Sequence, residues 1–174
     1  MLKLCVWRPK ASIPKFECRD SKINEYYNNR LQIDIDLRAC RAYFLFQDDK
    51  VVGFFTLLPH SIQNTNNNKI RRKYKGTGKW LSGVLLGHLA ISSGFSGKRY
   101  GEVKYSKILM SYALNRFAYV VHNFCGVALL LNPINQEVRD KFYVKEYGEL
   151  FKPYPTKKDD YMYARAIDVF KYVG

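Results

Sequence analysis

The feature that most constrains this chain lies near its middle: an apolar run, a glycine-bearing bend and a long amphipathic segment, in that order. From Gly83, the residues Val84, Leu85, Leu86, Gly87, His88, Leu89, Ala90 and Ile91 read as a near-continuous apolar strand, of the kind buried on both faces. Ser92 to Gly101 then forms a polar bend carrying Gly94, Gly97 and Gly101. A helix is expected from about Glu102 to His122, with Leu109, Ala113, Phe117, Val120 and Val121 on one side and Ile108 and Tyr112 close by. A strand entering such a bend and then a helix gathers unpaired backbone N–H groups and the positive end of the helix dipole, which suits a phosphate group. Lys98 and Arg99 add formal charge at that point. The same glycines also suit a plain tight turn.

The flanking segments complete a mixed α/β order. Asp20 and Ser21 can cap a helix in which Ile23, Tyr27 and Leu31 recur every four residues. Ala42 to Phe46 and Val51 to Leu58 read as an antiparallel pair joined through Gln47-Asp48-Asp49-Lys50. Val127 to Leu131 is a further apolar strand, and Asn135 can cap a helix carrying Val138 and Phe142. Tyr161 to Val169 reads as a last strand after the Pro153/Pro155 connection. One α/β domain over residues 1–174 is expected, with a basic flexible loop at about 63–79.

That loop follows from composition. Lys and Arg total 29 against 15 Asp and Glu, a net charge of +14, which favours a polyanionic partner. After Gln63 and an Asn-rich run come Lys69, Arg71, Arg72, Lys73 and Lys75, with no acidic residue among them. These are the candidates for phosphate contacts with a nucleic acid, which position without reading sequence. No stretch approaches the ~18–20 apolar residues of a membrane span. The first residues carry no secretory signal, so a cytoplasmic chain without membrane attachment is expected. Cys5, Cys18, Cys40 and Cys125 show no metal-ligand spacing, and buried reduced thiols without a metal are expected.

The run Leu85 to Ile91 followed by Ser96-Gly97-Lys98-Arg99-Tyr100-Gly101 resembles motif A of the GNAT acetyltransferases, whose loop pattern is Gln/Arg-x-x-Gly-x-Gly/Ala. Ser96 stands for Gln/Arg and Arg99 for the first Gly. Three further segments resemble the GNAT toxins of toxin–antitoxin modules. Phe16-Glu17-Cys18 with Ile23-Asn24-Glu25-Tyr26 matches their opening pattern, and Val51 to Leu57 matches their Val-Leu-Gly-Tyr-Tyr-x-Leu strand. Val84 to Ile91 matches their Leu-Leu-Gly-Arg-Leu-Ala-Val run, with His88 at the Arg position.

The resemblance implies a GNAT fold, a central mixed and partly splayed β-sheet flanked by helices, that uses acetyl-CoA as cosubstrate. It implies that Leu89, Ala90 and Ile91 face the thioester and pantetheine opposite Val127 to Leu131. Ser96, Gly97, Lys98, Arg99, Tyr100 and Gly101 would hold the pyrophosphate. The general acid would be the second residue of a Phe-Tyr pair, Tyr143. Counting from Asn135 at the spacing common in the wider superfamily lands instead on Phe142, which also shares a helix face with Val138 but has no proton to give, and both registers stay open. The acceptor implied is the α-amine of an aminoacyl-tRNA. An α-amine titrates near ~7.7–8.0 against ~10.4 for lysine, so it needs no strong base. A homodimer and a ribbon-helix-helix antitoxin are implied as partners. The alternatives are a GNAT enzyme for small-molecule or protein amines, and a catalytically silent GNAT-fold binding module.

Overall fold

A computed structural model of the chain describes residues 1–63, 80–124, 126–153 and 161–174. They form two compact units, Met1–Leu58 with Leu86–Asn115, and Pro59–Leu85 with Arg116–Gly174.

The strand order of the first unit is β1 (Leu2–Val6), β2 (Arg41–Gln47), β3 (Lys50–Gln63) and β4 (Trp80–Ile91). β3 and β4 each run on into residues of the second unit. β1 pairs antiparallel with β2, and β2 with β3. The expected hairpin turn is present, with Asp48 at φ 52°, a left-handed conformation that a short polar side chain tolerates. The sequence reading ends the second hairpin strand at Leu58, before a proline that lacks an N–H. The strand in fact continues through Pro59 to Gln63. Leu2–Val6 is too short an alternation to stand out in the sequence, yet it adds an edge strand.

The expected first helix is α1 (Ser21–Tyr26), a wider π-helical turn (Tyr27–Leu31) and α2 (Gln32–Asp36). An Asp20 carboxylate oxygen accepts from the Ile23 N–H at 3.0 Å, satisfying one of the helix's free donors. Tyr27, Leu31 and Ile35 are buried among Ala42, Phe44, Phe54 and Ala90. The Phe54 ring lies 4.9 Å from Phe16 and 5.1 Å from Tyr27, both near edge-to-face. Each such side chain contributes about 1.5–3 kcal/mol by leaving water. The Asn24 side chain donates to the Cys18 carbonyl and accepts from the Cys18 N–H, both at 2.8 Å. The opening motif is therefore a clamp that fastens residues 16–18 to the helix.

The helix expected from Glu102 begins later, as α3 (Tyr105–Phe124). Residues 99–104 instead make a small hairpin, β5 (Arg99–Tyr100) against β6 (Val103–Lys104), turning at Gly101 with φ 58°. Leu109, Met110, Ala113 and Leu114 are buried in the first unit, and Phe117 and Ala118 in the second.

In the second unit the order is β4, β7 (Ala128–Leu131), β9 (Met162–Arg165) and β8 (Lys152–Pro153). All four residues of β7 are buried, as a wholly apolar strand requires. Asn135 caps the next helix, accepting from the Val138 N–H at 2.8 Å. That helix is α4 (Gln136–Val138), a π-helical stretch (Arg139–Val144) and α5 (Lys145–Tyr147). The final strand expected over 161–169 is only half strand. β9 stops at Arg165, and Ala166–Val173 is helix α6. The Arg165 side chain pairs with Asp168 three residues on, a helical spacing that also places a carboxylate in the first turn.

Gly53 on β3 is required by space. A Cβ there would stand 2.5 Å from the Ala90 carbonyl oxygen and 3.0 Å from an Ile91 methyl. Gly53→Ala is expected to lower stability by about 1–3 kcal/mol, read from the urea midpoint. An unchanged midpoint would show that β3 and β4 are not packed as described.

Candidate functional site

The candidate cofactor loop lies in the first unit and Tyr143 in the second. β4 is ended by its neighbours. The Ser92 N–H donates to the Val52 carbonyl at 2.9 Å, and the Ser93 N–H to the Glu17 carbonyl at 2.8 Å. The second bond joins the Cys18–Asn24 clamp to the start of the loop. Leu89 and Ile91 are half-buried, while Ala90 packs into the core.

A short 3₁₀ turn (Ser93–Phe95) follows, and the Lys98 N–H returns to the Phe95 carbonyl at 3.1 Å. Gly97 has φ 76°, and a Cβ added to Gly97 or Gly101 would meet no described residue within 4 Å. Both glycines are demanded by backbone conformation and not by crowding among the described residues. Arg99 does not share that conformation. It lies in extended β5, outside the positive-φ residues, so its side chain replaces glycine without strain. Its guanidinium Nη1 donates to the Glu102 carbonyl at 2.7 Å. Lys98, Arg99, Tyr100, Gly101 and Lys104 are all exposed. Ser96, Gly97, Lys98, Arg99, Tyr100 and Gly101 thus sit together on one cationic loop and hairpin. Tyr105 beneath it stacks edge-on against Phe95, 5.3 Å between centroids, and its hydroxyl bonds Gln47.

The π-helical stretch bears on the choice between Phe142 and Tyr143. Widening one turn inserts a residue, so the face shared with Val138 passes from the fourth to the fifth residue on. Tyr143 and Tyr147 are buried, while Phe142 is half-buried with its ring 5.1 Å from Tyr143 and 5.4 Å from Tyr147. Burial pushes the Tyr143 phenol well above its ordinary value, which keeps it protonated at neutral pH. A count at 3.6 residues per turn puts Phe142 on the face of Val138 and cannot anticipate a wider turn.

Lys69, Arg71, Arg72, Lys73 and Lys75 lie outside the described residues, as does Cys125. His60 stacks loosely on Tyr161, 6.3 Å between centroids. Among the described residues there is no cluster of three or more potential metal ligands, and no helix is long and apolar enough to cross a membrane. Cys18 and Cys40 are buried thiols, with burial raising both.

One group of polar side chains escapes motif reading. His88 on β4 lies flat against Tyr26, 3.8 Å between centroids and 12° between planes. The Tyr26 hydroxyl donates to Asp34 at 3.1 Å, and Arg30 holds the other Asp34 oxygen at 2.8 Å. The His88 Nδ1 is buried without a partner among the described residues, while the His88 N–H donates to the Thr56 hydroxyl at 3.0 Å. The departure from Arg at position 88 was the only sequence signal of this group.

No family model matches the chain, and no curated protein is similar to it in sequence. Solved structures are similar in fold. The toxin AtaT complexed with acetyl-methionyl-tRNAfMet superposes with a TM-score of 0.79 at 16% identity, covering 100% of each chain. AtaTR bound with acetyl-CoA gives 0.80 at 17% identity, over 99% of this chain and 98% of that one. A tyrosine-to-phenylalanine mutant of KacT gives 0.77 at 15% identity, over 97% and 98%. The chain has the GNAT fold. Within that fold, the opening clamp, the glycine loop and the helix bearing Tyr143 are the parts that the sequence motifs marked.

Burial lowers the His88 pKa below its ordinary 6.5, against an opposing pull from Asp34. As pH falls, the unfolded chain therefore takes up the proton first, and stability present at neutral pH is lost below about 6.5. The urea midpoint of the native protein should fall further between pH 7 and pH 5 than that of His88→Phe, which keeps the stack on Tyr26. Equal falls would show that His88 does not titrate differently in the folded chain.

Proposed function

We propose that this chain is an acetyl-CoA-dependent N-acetyltransferase of the toxin kind, acting on the α-amine of an aminoacyl-tRNA and so blocking translation. The observation that carries the proposal is the full-length likeness in fold to AtaT, solved with acetyl-CoA and with acetyl-methionyl-tRNA. The glycine loop and the +14 charge support it independently.

In this reading the pantetheine lies along Leu89, Ala90 and Ile91, and the phosphates lie at Ser96 to Gly101. The basic residues Lys69, Arg71, Arg72, Lys73 and Lys75 contact tRNA phosphates, which would make affinity strongly salt-dependent. The free α-amine attacks the thioester carbonyl carbon. The carbon–sulfur bond breaks, and the departing sulfur takes a proton from the Tyr143 hydroxyl. The new amide nitrogen gives its proton to water and water returns one to Tyr143, leaving acetylated aminoacyl-tRNA, free coenzyme A and the enzyme in its starting state. An N–H near Ile91 polarises the carbonyl as negative charge gathers there. No metal enters the scheme. A ribbon-helix-helix antitoxin, a homodimeric state and a cytoplasmic setting belong to the same proposal.

The test is transfer of labelled acetyl groups from acetyl-CoA to charged and uncharged tRNA. Label on charged tRNA alone is the expected result. Turnover on a small amine or a protein with none on charged tRNA would move the reading to an ordinary amine acetyltransferase. Tyr143→Phe is expected to lower kcat by about 10²–10⁴-fold while acetyl-CoA affinity stays within about twofold. Unchanged kcat would mean that another group protonates the sulfur.

A further inference from the structure

We infer that the outer edge of β1 is a pairing surface for a second copy of this chain, strand against strand and antiparallel, so that the sheet of one copy runs on into the other. The inference names the surface of the homodimeric state proposed above, and it does not depend on the acetyltransferase reading.

The ladder between β1 and β2 decides which backbone groups face outward. The Trp7 N–H donates to the Ala42 carbonyl at 2.8 Å, and the Asp48 N–H to the Met1 carbonyl at 3.2 Å. The register between those two pairs is unbroken. Hydrogen-bonded pairs alternate along an antiparallel ladder, so Lys3 and Cys5 also turn their backbone groups to β2. Leu2, Leu4 and Val6 therefore turn theirs away from it. β1 ends the sheet, with no neighbour on that side among the described residues. Val6 is 46% exposed there, and Leu2 and Leu4 are half-buried. An edge of this kind accepts another strand unless proline, a bulge, charge or brevity blunts it. The edge strand of the second unit, β8, is blunted: it is two residues long and ends in Pro153, which has no N–H. β1 is five residues long with neither proline nor bulge, and its one charged side chain is Lys3.

The symmetry of this edge selects its occupant. The outward residues are centred on Leu4, so an antiparallel twin uses all of them. Leu4 meets Leu4 of the second copy and Leu2 meets its Val6, each pair exchanging both backbone hydrogen bonds. The apolar side chains of these residues then lie side by side on one face of the joined sheet. On the other face Lys3 stands opposite Cys5 of the second copy and not opposite another lysine, so no like charges are set face to face. The ends of the strand agree. Arg8 and Arg41, both exposed, lie at the Val6 end. At the Met1 end the terminal ammonium pairs with Asp48 at 2.8 Å, and the exposed Asp49 and Lys50 balance in formal charge. Antiparallel pairing sets each cationic end beside a balanced one, whereas parallel pairing would set cation beside cation.

The test is analytical ultracentrifugation of the full chain, native and Leu4→Pro, together with oxidation of Lys3→Cys. The native chain should sediment as a dimer. Leu4→Pro removes an N–H that β2 does not use, at a position where an edge strand admits proline. It should keep the native far-UV circular dichroism and weaken the dimer by about ten- to a hundredfold, since each copy loses a hydrogen bond at the symmetry axis. Lys3→Cys stands directly opposite Cys5 of the second copy, within disulfide reach. Under mild oxidation it should give a covalent dimer, and the same variant carrying Cys5→Ser should not. A native chain that stays monomeric overturns the inference and leaves the edge to a strand of another protein. A dimer that Lys3→Cys fails to lock overturns it as well, and that result decides even where Leu4→Pro does not fold.

Discussion

The candidate cofactor loop depends on where β4 is made to stop. Two hydrogen bonds do this, from Ser92 to the Val52 carbonyl and from Ser93 to the Glu17 carbonyl. The 3₁₀ turn Ser93–Phe95, which leads to Gly97, begins at the donor of the second bond. The second reaches residues far earlier in the chain, and those are in turn held by the reciprocal amide bonds between Cys18 and Asn24. Glu17 contributes only its carbonyl. What must be conserved in shape there is the path of the backbone, and Asn24 is the side chain that sets it.

Packing reinforces the same junction. Gly53 lets β3 lie close against Ala90, and Ala90 itself turns into the cluster around Tyr27, Phe44 and Phe54. Close packing of this kind transmits displacement, so an error in the β3–β4 contact would be felt at the loop. The His88–Tyr26–Asp34 group lies two residues up the same strand and is held by stacking and by a hydroxyl–carboxylate bond. It is polar matter in an apolar neighbourhood, and most of its groups are satisfied.

Much of this architecture was legible in the sequence, for reasons that differ by element. The capping roles of Asp20 and Asn135 were readable because a side-chain acceptor at a helix start acts locally. The hairpin at Asp48 and the buried strand at Ala128–Leu131 were readable from turn chemistry and a wholly apolar run. The β5–β6 hairpin was not, because Arg99 to Lys104 has no period long enough to betray two-residue strands. The switch from strand to helix at Arg165 was hidden by an apolar composition that serves either state. In the candidate site, the motif named Ser96 to Gly101, and the fold groups them on one loop and hairpin. Which of Phe142 and Tyr143 turns inward could not be read by counting, because counting assumes a constant turn.

That last point reaches beyond assignment. In a surface loop, gaining or losing one residue is commonly absorbed without consequence. Between Arg139 and Val144 the extra residue is taken up inside a helix, and it decides which of two adjacent aromatic rings is turned inward. Chain length and the identity of the buried ring are therefore coupled at this place. Relatives whose helices differ by a single residue here would present a phenol or a bare benzene ring to the interior while keeping nearly the same outline, and an alignment drawn from sequence alone would pair the wrong two.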